Sequence, residues 1–172
     1  EVVAGASYAG VRTMACMKHV GLNVAADPLF TMAYTGVNGG AVILVADDPG
    51  MHSSQNEQDS RFYARSSHIP MLEQEAKDFV KAAFEISEKY DTPVLLRETT
   101  RIAHSQSIVE MNDREEVPIR PYQKDISKYT MMPASAIKRH LVVEDREKKL
   151  AEDCNTLPIN TVEYKSKDLG IV

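Results

Sequence analysis

Apolar and polar positions change period several times along this chain, and each change marks an element. Residues 41–47, AVILVAD, are a nearly unbroken apolar run, the pattern of a strand covered on both faces. Residues 74–90, QEAKDFVKAAFEISEKY, place Ala76, Phe79, Val80, Ala83, Phe84 and Ser87 on one side at helical spacing, which predicts an amphipathic helix. Between and around these two segments the other elements fall into place. EVVAGASYAG at 1–10 reads as a small-residue helix packed tightly on a sheet, with Gly10 as its stop. VRTMACMK at 11–18 reads as a first strand. NVAADPLFTMAYTG at 23–36 reads as a helix, with Asp27 as N-cap before Pro28 and Gly36 closing it. A turn follows at Asn38-Gly39-Gly40.

Beyond the apolar strand, a short helix is expected at 61–65, a short strand at 68–72, and another strand at 93–100, PVLLRETT. Strand and helix alternate with strongly apolar strands, which predicts a parallel α/β sandwich. From about 111 the chain is charged, contains prolines and lacks either period, so it reads as a linker or extended wrap. Pro133 opens a last helix running to about Asp153, and INTVEY at 159–164 reads as a short strand. The chain opens without methionine inside a helix-like pattern and ends on KDLGIV, which reads as the start of a strand. A piece of a larger polypeptide is expected.

Composition narrows the function classes. The 172 residues are 43% hydrophobic and 26% charged, with a net charge of −5. That is an ordinary globular balance with no broad basic field, so nucleic acid is not an expected partner. No apolar run reaches the roughly 18–20 residues of a membrane span, and no basic-then-apolar leader is present. Cys16 and Cys154 form no CxxC or CxxH unit, so neither zinc nor an iron–sulfur cluster is expected to be held within the chain. Free thiols in an acidic chain suggest a cytoplasmic location.

The candidate chemistry lies at strand ends. Ligands of open parallel sheets bind beyond the carboxyl ends of the strands, and three such ends carry concentrated polar groups. The first is Lys18-His19, running on to Asn23. The second is Asp47-Asp48-Pro49-Gly50-Met51-His52, followed by Ser53, Ser54, Gln55 and Asn56. The third is Arg97-Glu98-Thr99-Thr100-Arg101, with His104 nearby. Strand-end aspartates before Pro-Gly also make ordinary turns, but three different tips on one edge point to a site. Two other readings remain open at this stage. Asp47, with Asp48, a histidine and Glu98, could bind a divalent metal for hydrolysis, or the chain could be a non-catalytic interaction domain. His68 and His140 are expected at the surface, and Arg146-Glu147-Lys148-Lys149 as a charged helix face.

Several segments together resemble one family. MKHVGLNVAADPLFTMAYTGV, VADDPGMHSSQNEQDSRFYAR, TTRIAHSQSIVE and NTLPINTVEY are similar to the large thiamine-diphosphate subunit of the indolepyruvate ferredoxin oxidoreductases, within the 2-oxoacid:ferredoxin oxidoreductase family. The resemblance implies a three-layer thiamine-diphosphate-binding fold. Residues 1–110 would form the pyrimidine-side domain lacking its N-terminal part, 111–165 a linker and helix, and 166–172 the start of a transketolase-C-terminal-like domain. It implies decarboxylation of an aryl 2-oxoacid, electron transfer through 4Fe-4S clusters to ferredoxin, and delivery of the acyl group to coenzyme A. It also implies a small beta subunit as partner and a homodimer of large subunits. The loops around KHVGLN and DDPGMHSSQ would line the cleft. That assigns Lys18, His19 and His52 to catalysis, and Asn23, Asp47, Asp48 and Gln55 to cofactor contact.

The departures from the family pattern are informative. The glutamate that bonds the pyrimidine lies a little over a turn before Glu1 in the pattern, and the Mg2+ motif and cluster cysteines belong to later domains. Relatives carry a few more residues between the positions of Glu73 and Gln74. Related pyruvate enzymes have an arginine for the substrate carboxylate near the position of Asp48, so that task is expected to pass to Lys18, His19 or His52.

Overall fold

The computed structural model describes residues 1–73, 75–161 and 163. Four parallel strands run in the order β1-β2-β4-β3, where β1 is Thr13–Lys18, β2 Ala41–Asp47, β3 Met71–Glu73 and β4 Val94–Thr99. Strand alternation divides the core in two. Ile43, Val45 and Leu95 face Leu22, Leu29, Ala33, Ala64 and Ile69 on one side of the sheet. Val42, Val94 and Leu96 face Ala83, Ile86 and Tyr90 on the other. The first side is covered by α2 (His19–Val24), α3 (Ala26–Thr35) and α4 (Arg61–Ser67), the second by α5 (Lys77–Tyr90). The expected three-layer α/β arrangement is therefore formed, with β2 and β4 central because they are apolar on both faces.

The first helix, α1 (Val2–Tyr8), docks closely, as its small residues predict. Ser7 is fully buried and its hydroxyl donates to the Gly39 carbonyl at 2.6 Å. The expected helix at 23–36 is two helices. α2 starts at His19 itself, and α3 starts at Ala26 with Ala25 before it, so Asp27 is not an N-cap but lies in the first turn. Pro28 is tolerated there because first-turn N–H groups have no intrahelical acceptor. Gly36 closes α3 at φ 71°, as expected. A Cβ on Gly36 would stand 2.2 Å from the Asp91 carboxylate. The strand expected at 68–72 begins later, at Met71, because His68 adopts the left-handed cap of α4.

Beyond β4 come two four-residue helices absent from the sequence reading, α6 (Thr100–Ala103) and α7 (Ile126–Tyr129), and then α8 (Pro133–Asp153), which Pro133 opens as expected. Polar clamps hold this last part to the α/β body. Asp91, itself left-handed at φ 53°, accepts the Val37 N–H at 2.9 Å, Lys128 at 2.7 Å and Arg139 at 3.0 Å. Arg146 departs from its expected place on a charged surface. It is 4% exposed and donates to the carbonyls of Asp91 and Ala33, each at 2.8 Å. Main-chain carbonyls at helix ends need donors, and a guanidinium with five N–H groups reaches two of them. His68 pairs with Glu147 at 2.7 Å, and His140 stacks on Tyr34.

No strand is present over 159–161 and 163. Val162, Tyr164, the expected start of a next domain at 166–172, and Gln74, before which relatives carry more residues, lie outside the described residues. No described helix is long and apolar enough to cross a membrane.

Candidate functional site at the strand tips

Because the sheet is parallel, the ends of β1, β2 and β4 meet on one edge. Lys18, Ala46 and Glu98 are in register across three strands, and Asp47 is opposite Thr99. The polar residues that follow each strand are thereby neighbours. What the structure adds is a division of labour among them.

Asp47, at the end of β2, is an internal fastener. It is fully buried and accepts the Ser60 N–H at 3.0 Å, the Ser60 hydroxyl at 2.5 Å and the Arg97 guanidinium at 2.6 Å. Arg97 is 5% exposed and also lies 3.5 Å from Glu73. The two ends of the 48–59 loop, Asp47 and Ser60, are thus tied together at the sheet edge. Asp48 organises the loop interior. One carboxylate oxygen accepts the His52 N–H at 3.2 Å and the Thr100 hydroxyl at 2.7 Å. The other accepts the Ser53 N–H at 2.8 Å and the Ser54 hydroxyl at 2.7 Å. These bonds use the roughly four lone-pair sites of a carboxylate.

The β1 tip holds the loop from the other side. Lys18 donates to the Ser53 carbonyl and hydroxyl, both at 3.1 Å, and to the Ser54 hydroxyl at 2.6 Å, and lies 3.7 Å from Asp48. His19 is fully buried. Its Nε2 is 3.2 Å from the Asn56 carbonyl, and a carbonyl only accepts, so Nε2 carries the proton. Its Nδ1 is buried without a partner among the described residues. His52, Gln55 and Asn23 are exposed, with no side-chain hydrogen bond among the described residues. Those three present free polar groups at the edge, while Lys18, His19, Asp47 and Asp48 shape the loop between them.

The Ser54 and Thr100 hydroxyls, with the Ser53 and His52 N–H groups, hold the Asp48 carboxyl far below the usual carboxylate range. A depressed folded-state value contributes stability above the unfolded value and loses it only as pH falls through the folded one. Carbon-detected NMR of Asp48 is therefore expected to show no protonation between pH 7 and about 3, whereas a free aspartate titrates near 3.9. A midpoint close to the free value would mean the loop network is not formed in solution.

Arg97, Ser60 and Thr100 were not singled out from sequence as partners of the two aspartates. Arg97 had a visible signal: a charge inside the apolar run VLLRET must be paired if the strand is central. The metal-hydrolase alternative gains nothing from this geometry. Asp47 and Asp48 have their oxygens occupied by protein donors. Glu98 lies on the opposite sheet face from Asp47, by strand alternation. Among the described residues no three His, Cys, Asp or Glu side chains are grouped to hold a metal ion.

No protein-family model matches the chain. Individual relatives match it along its length. Indolepyruvate oxidoreductase subunit IorA of Archaeoglobus fulgidus is 43% identical over 178 residues, covering 100% of this chain and 29% of that subunit. The subunit of the same name from Methanothermobacter marburgensis is 46% identical over 181 residues, again covering 100% of this chain and 29% of the relative. That of Pyrococcus horikoshii is 46% identical over 173 residues, covering 95% and 27% respectively. The chain spans less than a third of the length of these curated relatives. Over the residues it contains, the chain is similar along its length to the indolepyruvate oxidoreductase IorA subunits.

Proposed function

We propose that this chain is the pyrimidine-side part of a thiamine-diphosphate-dependent oxidoreductase that decarboxylates aryl 2-oxoacids of the indolepyruvate type. The observation that carries the proposal is the meeting of three polar strand tips on one sheet edge, in a chain matched along its length by the IorA subunits. In the net reaction the oxoacid and coenzyme A give an acyl-CoA, carbon dioxide and a proton, and two electrons reduce two ferredoxins. On this reading residues 1–110 are the pyrimidine-binding α/β domain, 111–165 a linker and helix, and 166–172 the start of a transketolase-C-terminal-like domain. A small beta subunit, a second large subunit and a cytoplasmic setting complete the proposed assembly.

Thiamine diphosphate, when bound, supplies the carbon nucleophile and the electron sink that decarboxylation needs. Its pyrimidine side fits the donor set here: Asn23 and Gln55 offer free amides at the edge, and buried His19 Nδ1 lacks a donor. The ligands of Mg2+ and of the 4Fe-4S clusters belong, on this reading, to other parts of the enzyme, as the family resemblance implies. The residues of this chain bind and orient the oxoacid. His52, on the free side of the loop, donates to the substrate carboxylate. Lys18 offsets the Asp48 charge at the edge. His19 holds the Asn56 end of the loop. On this reading the isolated chain is inactive.

The test is calorimetric titration of thiamine diphosphate with Mg2+ into the full-length large subunit joined to its small partner, and into residues 1–172 alone. Indolepyruvate-dependent ferredoxin reduction is followed in parallel. The proposal expects binding and turnover by the complex only. Tight Mg2+ binding by residues 1–172, with thiamine diphosphate ignored by both samples, would replace it with the metal-site reading.

A further inference from the structure

The loop that carries His52 leaves the sheet through a strained passage. Gly50 and Met51 have φ of 80° and 56° in succession, and a side-chain-bearing residue holds such a conformation only where its surroundings fix it. The fixing group is Asp48. Its carbonyl accepts the Met51 N–H at 3.0 Å, and its carboxylate accepts the next two N–H groups, those of His52 and Ser53. The rotation of that carboxylate therefore sets where the His52 backbone lies.

What fixes the carboxylate itself comes from a different strand. The Thr100 hydroxyl, one residue past the end of β4, donates to Asp48 Oδ1 at 2.7 Å. That oxygen is the one that accepts the His52 N–H. Lys18 and Ser54 act on the other oxygen, Oδ2. Ser53, Ser54 and His52 all belong to the loop itself. Thr100 is a donor outside both the loop and the β1 tip, and it connects His52 to the rigid centre of the sheet.

We infer that Thr100 is a positioning residue for oxoacid recognition: through Asp48 Oδ1 it fixes the His52 backbone relative to β4, and so sets the approach of the His52 ring to the substrate carboxylate. Thr100 itself touches no substrate. The inference rests on the reading of His52 as a carboxylate contact.

The experiment uses the full-length large subunit with its small partner, comparing Thr100→Val, Thr100→Ser and His52→Ala by steady-state kinetics and thermal unfolding. Valine keeps the shape of threonine and removes the donor; serine restores it. Thr100→Val is expected to raise KM for indolepyruvate about tenfold, equivalent to about 1.4 kcal/mol. The expected kcat stays within about twofold, and the melting temperature falls only moderately, because Asp48 keeps its other three donors and the strand and helix around position 100 keep their packing. Thr100→Ser is expected to return KM to the wild-type value. An unchanged KM in Thr100→Val, alongside a raised KM in His52→Ala, would overturn the inference and leave the recognition loop standing. A raised KM that serine fails to restore would also overturn it, since the hydroxyl would not be the active feature. An unchanged KM in His52→Ala would remove the underlying reading, and the inference with it.

Discussion

Replacing Arg97 by methionine is expected to remove about 3–5 kcal/mol of stability, the usual cost of breaking a buried ion pair from one side. Total stabilities of single domains are about 5–15 kcal/mol, so this is a large fraction. The reason is the environment of Asp47. Its side chain is 0% exposed and that of Arg97 is 6% exposed, at 2.6 Å from each other. Without the guanidinium, Asp47 keeps only the Ser60 donors. Glu73 and Asp59, 3.5 and 4.0 Å from Arg97, lose a shared cation as well. Lysine at this position keeps the charge but not the planar fork, so Arg97→Lys is expected to fall between wild type and methionine. Urea unfolding at neutral pH measures both. Salt separates this pair from surface pairs such as Asp145–Lys149, whose side chains are each 64% exposed. The Arg97→Met loss persists at high salt because a buried pair is weakly screened, whereas the surface pair contributes about 0–1 kcal/mol and fades. A loss below about 1 kcal/mol for Arg97→Met would mean that Asp47 is hydrated rather than locked.

The parallel sheet was legible because its strands obey one rule. AVILVAD and PVLLRETT are apolar on both faces, and only central parallel strands require that. The last helix was legible through Pro133, and the edge carrying the site through three polar strand ends. Local rules failed where tertiary contacts overrode them. Asp27-Pro28 looks like a helix start, but the chain had already turned into α2 at His19, where the ring is buried against the loop. Arg146 looks like surface charge, but two carbonyls left by α3 and α5 draw it inward. The roles within the site were least legible. Sequence shows that Asp47, Asp48, Lys18 and His19 sit together. It does not show that their polar atoms face one another, leaving His52, Gln55 and Asn23 with free groups. That distinction depends on side-chain direction, which no spacing rule encodes.

The second large effect concerns the substrate. On the proposed reading His52→Ala removes one donor to the oxoacid carboxylate, a charge-assisted bond of about 1.5–3 kcal/mol, which is roughly 10- to 100-fold in KM. Lys18→Ala is expected to have an effect at least as large. It removes three hydrogen bonds to Ser53 and Ser54, and on the proposed reading it also leaves the Asp48 carboxylate, held below the usual range by its hydrogen bonds, uncompensated beside the incoming carboxylate. A like charge near the site opposes binding, whereas a cation attracts it. Gln55 and Asn23, which face the cofactor in this account, should change thiamine diphosphate affinity rather than oxoacid KM. The most direct measurement is the indolepyruvate KM of the complete enzyme carrying Lys18→Ala or His52→Ala, read by ferredoxin reduction at saturating cofactor. The account predicts a rise of about tenfold or more in each, with cofactor affinity unchanged. An unchanged KM in both variants would contradict it, and would mean that the polar edge of this sheet is not where the oxoacid binds.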